Sequence, residues 1–101
     1  MVATDSLLEE MRQLAGRPAT PRTLPRIEQA LVDGCARKLG VEVERLRLER
    51  RLRETATSAT SDRANELSRI AHSLAGAEAE LSALGVLIRS LRLRQRALQA
   101  G

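Results

Sequence analysis

The chain has 101 residues, 43% of them hydrophobic, which suits one small domain with little interior. It has no Phe, Tyr or Trp. A core must therefore come from Leu, Ile, Val and Ala rather than from aromatic bulk. The net charge is +4, from 17 basic and 13 acidic residues mixed over most of the length, so the basic excess is modest. One cysteine, Cys35, excludes an intramolecular disulfide, and charges interrupt every apolar run before membrane-spanning length. The start lacks a basic segment followed by an apolar one, so no signal peptide is expected and the default location is cytoplasmic.

The first predicted element is a short helix ending at Gly16, within residues 1–16. Ser6 with Glu9 fits a capping box, Asp5, Glu9 and Glu10 suit the positive end of the helix dipole, and Leu7, Met11 and Leu14 line one face. About ten residues of helix are marginal alone, so this one needs a surface to lie against. Residues 17–25 hold all three prolines, Pro18, Pro21 and Pro25, and read as a linker or extended strap. Thr23 is placed to cap the next helix, with Pro25 tolerated in its first turn.

Residues 26–101 are expected to form a long helical hairpin. Its first arm runs from about Leu24 to Ala56, with apolar residues at Leu24, Ile27, Leu31, Cys35, Leu39, Val43 and Leu46 in helical steps. Gly34 and Gly40 lie inside it and suggest close approach of another backbone or a local bend. The alternation Val41-Glu42-Val43-Glu44 resembles a strand, but the sequence after it changes phase and favours helix. Asp33 with Arg37 and Glu49 with Arg53 are favourable helical pairs. The Thr/Ser run at residues 55–62 is the natural reversal point, with Ser61 or Asp62 as the cap of the next helix.

The second arm carries the strongest periodicity. Leu67, Ile70, Leu74, Ala77, Leu81, Leu84, Ile88, Leu91, Gln95 and Leu98 follow alternate steps of three and four, and only Gln95 is polar. Small residues beside the seam (Ala64, Ala71, Ala75, Gly76, Gly85) suggest close backbones. The expected class is all-α: an antiparallel helical hairpin of coiled-coil type, preceded by a short N-terminal helix. Val41, Leu48, Leu52, Val86, Leu87 and Leu93 fall off the main stripes. Covering them calls for a second copy, giving a homodimeric four-helix bundle with Leu67, Ile70, Leu74, Leu81, Leu84, Ile88 and Leu91 as the expected oligomer interface.

Little in the sequence carries chemistry. His72, the one histidine, lies opposite the seam and is expected at the surface, without companions for a metal site. Cys35 reads as a small hydrophobe. No phosphate-binding glycine loop occurs, and no catalytic, cofactor or metal residues are assigned. Arginine is the exception. Arg45, Arg47, Arg50, Arg51 and Arg53 form one cluster. Arg89, Arg92, Arg94 and Arg96 form the other, in the segment after Glu80 where no acidic residue occurs; Arg89, Arg92 and Arg96 share one helical face and are candidate anion-binding residues. The expectation is a non-enzymatic protein–protein interaction module, such as an adaptor, regulator or assembly factor, working as a homodimer and meeting another protein. The alternative is an Arg-dependent binder of nucleic acid or a phosphorylated nucleotide. No membrane partner is expected.

Overall fold

The structure, a computed structural model, describes residues 2–59 and 61–100, with side chains from Ser6 onward. Three α-helices account for nearly all of these residues, and no strand occurs among them. Helix α1 spans Val2–Gly16, α2 spans Leu24–Ala56 and α3 spans Arg63–Ala100, with a single 3-10 turn at Pro21–Thr23 before α2. The alternating stretch at Val41–Glu44 is helical, as the Glu, Arg and Leu around it dictate. Contacts divide the chain into two units: Met1–Lys38 with Ser82–Gly101, and Leu39–Leu81.

The first unit holds α1, the start of α2 and the end of α3. Leu8, Met11 and Leu14 of α1 are buried against Ile27, Ala30 and Leu31 of α2 and Leu84, Leu87, Ile88 and Leu91 of α3. Each leucine or isoleucine removed from water here contributes about 1.5–3 kcal/mol. Gly34 explains how closely α1 approaches: a Cβ built there would lie 2.8 Å from Cε of Met11, a fully buried side chain. Arg94 of α3 closes the far end of α1, its guanidinium donating to the carbonyls of Ala15 and Arg17. A cation there offsets the negative end of the helix dipole as well as satisfying carbonyls that have no helical partner. After α1 the chain turns through Pro18 into the 3-10 turn, where Thr23 Oγ1 donates to the Thr20 carbonyl at 2.8 Å and accepts from the Thr20 N–H at 3.1 Å.

The second unit contains only two helical segments, from α2 and α3. Val41 and Ile70 are its buried apolar residues, with Leu48, Leu52, Leu67, Leu74, Ala77 and Leu81 half-buried. Arg51 of α2 pairs with Glu66 of α3, which also accepts from Arg69 at 3.2 Å. That pairing, like Cys35 with Arg92 in the first unit, runs in the antiparallel sense of a hairpin. At the reversal, Thr57 Oγ1 donates to the Glu54 carbonyl at 3.0 Å. The Glu66 N–H donates to the Asp62 carbonyl at 3.0 Å and Asn65 Nδ2 to Asp62 Oδ1 at 3.3 Å, so Asp62 leads into α3.

Several expectations change. Helix α1 begins at Val2, so Ser6 stands inside it and is no N-cap; the side chain of Asp5 lies outside the described residues. Thr23 bonds back to Thr20 rather than forward into α2; Pro25 does stand in the first turn of α2, as expected, so the linker ends before Leu24. The expected apolar stripe of α2 is covered from Leu24 through Ile27 and Leu31 to Cys35, and leaves the buried face after that. In the second unit that face runs through Val41, Arg45, Leu48, Leu52 and Thr55, while Leu39, Val43 and Leu46 face out. Nothing approaches within 4 Å of a Cβ built at Gly40, Gly76 or Gly85, and Ala64, Ala71 and Ala75 are exposed, so Gly34 alone among these positions serves close packing.

Candidate functional site

The α3 seam is buried or half-buried at every position from Leu67 to Leu98. Its occupants are the chain's own helices. Leu84, Ile88 and Leu91 lie in the core of the first unit beneath α1 and α2, and Ile70 is buried in the second. Leu67, Leu74 and Leu81 are half-buried there. Ile70, Leu84, Ile88 and Leu91 are thus taken up within the chain, while Leu67, Leu74 and Leu81 keep part of their surface open. Among the described side chains the large exposed apolar residues are Leu39, Val43 and Leu46 in the second unit and Val32, Val86 and Leu93 in the first. The first three follow i, i+4, i+7 spacing on α2 and make one stripe. Leu87, expected beside them at the surface, is buried.

Arg45 has an unusual place in the second unit. It occupies a buried-face position of α2, and its Nε is enclosed without a hydrogen-bond partner. An enclosed donor left unpaired costs about 1–3 kcal/mol. The other arginines of this cluster are solvated or paired: Arg51 with Glu66, and Arg47 within 3.9 Å of Glu44 in an exposed pair of little energetic weight. An open groove beside them, lined by Leu48, Arg51, Glu66, Arg69, Ile70 and Ser73, has its cations matched by Glu66.

The second arginine cluster is different. Arg89, Arg92 and Arg96 line one cavity of about 280 Å³ in the first unit, together with Lys38 of α2 and the apolar Gly85, Ile88 and Leu93. No acidic side chain lines it. Arg94, their neighbour in sequence, is drawn away to the end of α1. Arg92 Nη2 lies 3.5 Å from Cys35 Sγ, a weak contact that tethers its guanidinium. Lys38 was not foreseen here, because its helix meets α3 only through the fold. Nor was the Cys35–Arg92 contact, which joins residues 57 positions apart.

The remaining candidates place simply. His72 is exposed on α3, and Gln95 is half-buried beside Cys35 and Arg92 in a shallow groove with Glu28, Leu31 and Val32. Among the described residues no group of His, Cys, Asp and Glu is arranged to hold a metal ion, and no helix is long and apolar enough to cross a membrane. Compared with protein-family models, curated proteins and solved structures, the chain matches none.

Proposed function

We propose that this chain is a non-enzymatic docking module whose second unit pairs with a second copy of itself, forming a homodimeric four-helix bundle. The observation that carries this reading is the stripe on α2: Leu39, Val43 and Leu46 are 64%, 42% and 60% exposed, in a unit whose own buried apolar residues are Val41 and Ile70. Two helical segments bury one seam between them. In the first unit a third helix, α1, supplies the missing layer. In the second unit another copy would supply it.

The residues around the stripe fit self-pairing. Leu39 and Leu46 fall at d-type heptad positions and Val43 at the a-type position between them, an arrangement that favours two parallel strands. In that register Glu42 sits at g and Arg47 at the following e. Each Glu42 then meets Arg47 of the other copy, giving two symmetric pairs of opposite charge. A module of this kind acts by presenting helical surface to other chains, and Val86 and Leu93 on the first unit are apolar surface left over for a different protein.

Light scattering after size exclusion tests the dimer. The wild type is expected at twice the chain mass, and Leu39→Gln/Val43→Gln/Leu46→Gln at the single mass with helical circular dichroism retained. Equal masses for the two would remove the proposal. Glu42→Arg is expected to weaken the wild-type association, and adding Arg47→Glu to restore it. Failure of that rescue would speak against the parallel register.

A further inference from the structure

We propose that Lys38, Arg89, Arg92 and Arg96 form a binding site for a small polyphosphate anion, held through its phosphoryl groups. The site lies in the first unit, where Leu93 borders it, and goes beyond the self-pairing, which concerns the second unit.

Four cations line one cavity without an acid among them. Lys38, Arg89 and Arg96 make no ion pair among the described residues. Like charges at helical spacing repel, by a few tenths of a kcal/mol per pair in isolated helices. The helix dipole accounts for part of this arrangement only. Its effect falls off within the last turn, which takes in Arg96 at most, since α3 ends at Ala100. Arg89, Arg92 and Lys38 stand outside its reach. Arg94 is held on the α1 carbonyls and Arg51 on Glu66. Of the cavity cations only Arg92 has a polar contact among the described residues, the weak one with Cys35 Sγ, which leaves all four charges unmatched, and an anion matches them.

The geometry indicates the class of anion. At ~1.5 Å rise per residue, Arg89 and Arg96 stand about 10 Å apart along α3, with Arg92 between them and Lys38 facing from α2. A chain of two or three phosphoryl groups matches the length of that row, whereas a single phosphate would engage both ends only by drawing the side chains together. Guanidinium forks match phosphoryl oxygens in bidentate fashion, while Lys38 adds a point charge. A volume of about 280 Å³ lies at the small end of ligand pockets, sufficient for the phosphoryl chain. The protein has no aromatic side chain to stack on a base. Recognition therefore rests on the phosphoryl groups, whether they are inorganic or carried by a nucleoside.

Calorimetric titration of the full chain with inorganic triphosphate at low salt tests the site. Saturable binding near one equivalent per chain is expected. Arg89→Gln/Arg96→Gln should weaken it by roughly a hundredfold, from about tenfold per charged contact. Arg22→Gln/Arg26→Gln removes the same charge from exposed positions of the same unit away from the cavity, and should weaken binding severalfold at most. A nucleoside triphosphate bound as tightly as inorganic triphosphate, with the same loss in the cavity variant, places recognition on the phosphoryl chain. Tighter binding with that loss adds a nucleoside contact to the same site. No saturable binding, equal losses in the two double variants, or displacement of triphosphate by single-stranded oligonucleotide at much lower phosphate concentration would each overturn the proposal. A triphosphate-dependent rise in Tm, present in the wild type and absent in the cavity variant, gives a second readout.

Discussion

The two units of this chain use the same pair of helices to different effect. In the first, α1 lies over the start of α2 and the end of α3, and Met11, Ile27, Leu84 and Leu91 are completely enclosed. Among the described residues of the second there is no third helix. Val41 and Ile70 are buried, most other apolar residues are half-covered, and Leu39, Val43 and Leu46 stand in solvent. A long helix alone therefore does not make a core. Burial of apolar side chains depends on how many faces a neighbour covers, and one short amphipathic helix changes the outcome for one half of the molecule.

The largest effect should come from emptying the three-helix core. Leu84→Ala is expected to destabilise the first unit by about 2–5 kcal/mol, through lost burial and the cavity left behind. The same change at half-exposed Leu48 of the second unit should cost markedly less. Urea unfolding followed by circular dichroism measures both, and equal costs would erase the distinction between the units. Next is the α1 contact. Gly34→Val places atoms where Met11 already sits and should cost about 1–3 kcal/mol. Faster proteolysis within α1 in this variant would localise the damage.

The opposite sign is expected at Arg45. Its enclosed Nε lacks a partner, so Arg45→Leu should stabilise the second unit by about 1 kcal/mol. A loss of stability in the same denaturation experiment would mean that the guanidinium contributes more through its aliphatic stem than its unpaired donor costs. Smallest is Gly76→Ala. This position is exposed in mid-helix with open space around it, and the change should raise stability by about 0.5–1 kcal/mol.

How far the sequence foretold this arrangement depends on the helix. The seam of α3 was legible because apolar side chains fill nearly every buried position. On α2 the apolar stripe marks the covered face through Ile27 and Leu31 but not beyond: Lys38 and Arg45 then occupy covered positions, while Leu39, Val43 and Leu46 do not. A pattern reader follows hydrophobicity, and there hydrophobicity follows the uncovered side. The ends of α2 and the approach of α3 were readable from the prolines and the Thr/Ser run. The extra turn at the start of α1 was not, because Ser6 imitates a cap. Helical spacing alone grouped Arg89, Arg92 and Arg96. Lys38 joins them only through folding, which no local spacing reports.

Amide hydrogen exchange across a range of protein concentrations addresses the unequal completion of the two units most directly. Protection in residues 39–56 and 63–81 should climb as the protein is concentrated, while protection in residues 24–38 and 82–98 stays level. Protection that is independent of concentration throughout, or slower exchange in 39–81 than in the three-helix unit at high dilution, would contradict the account.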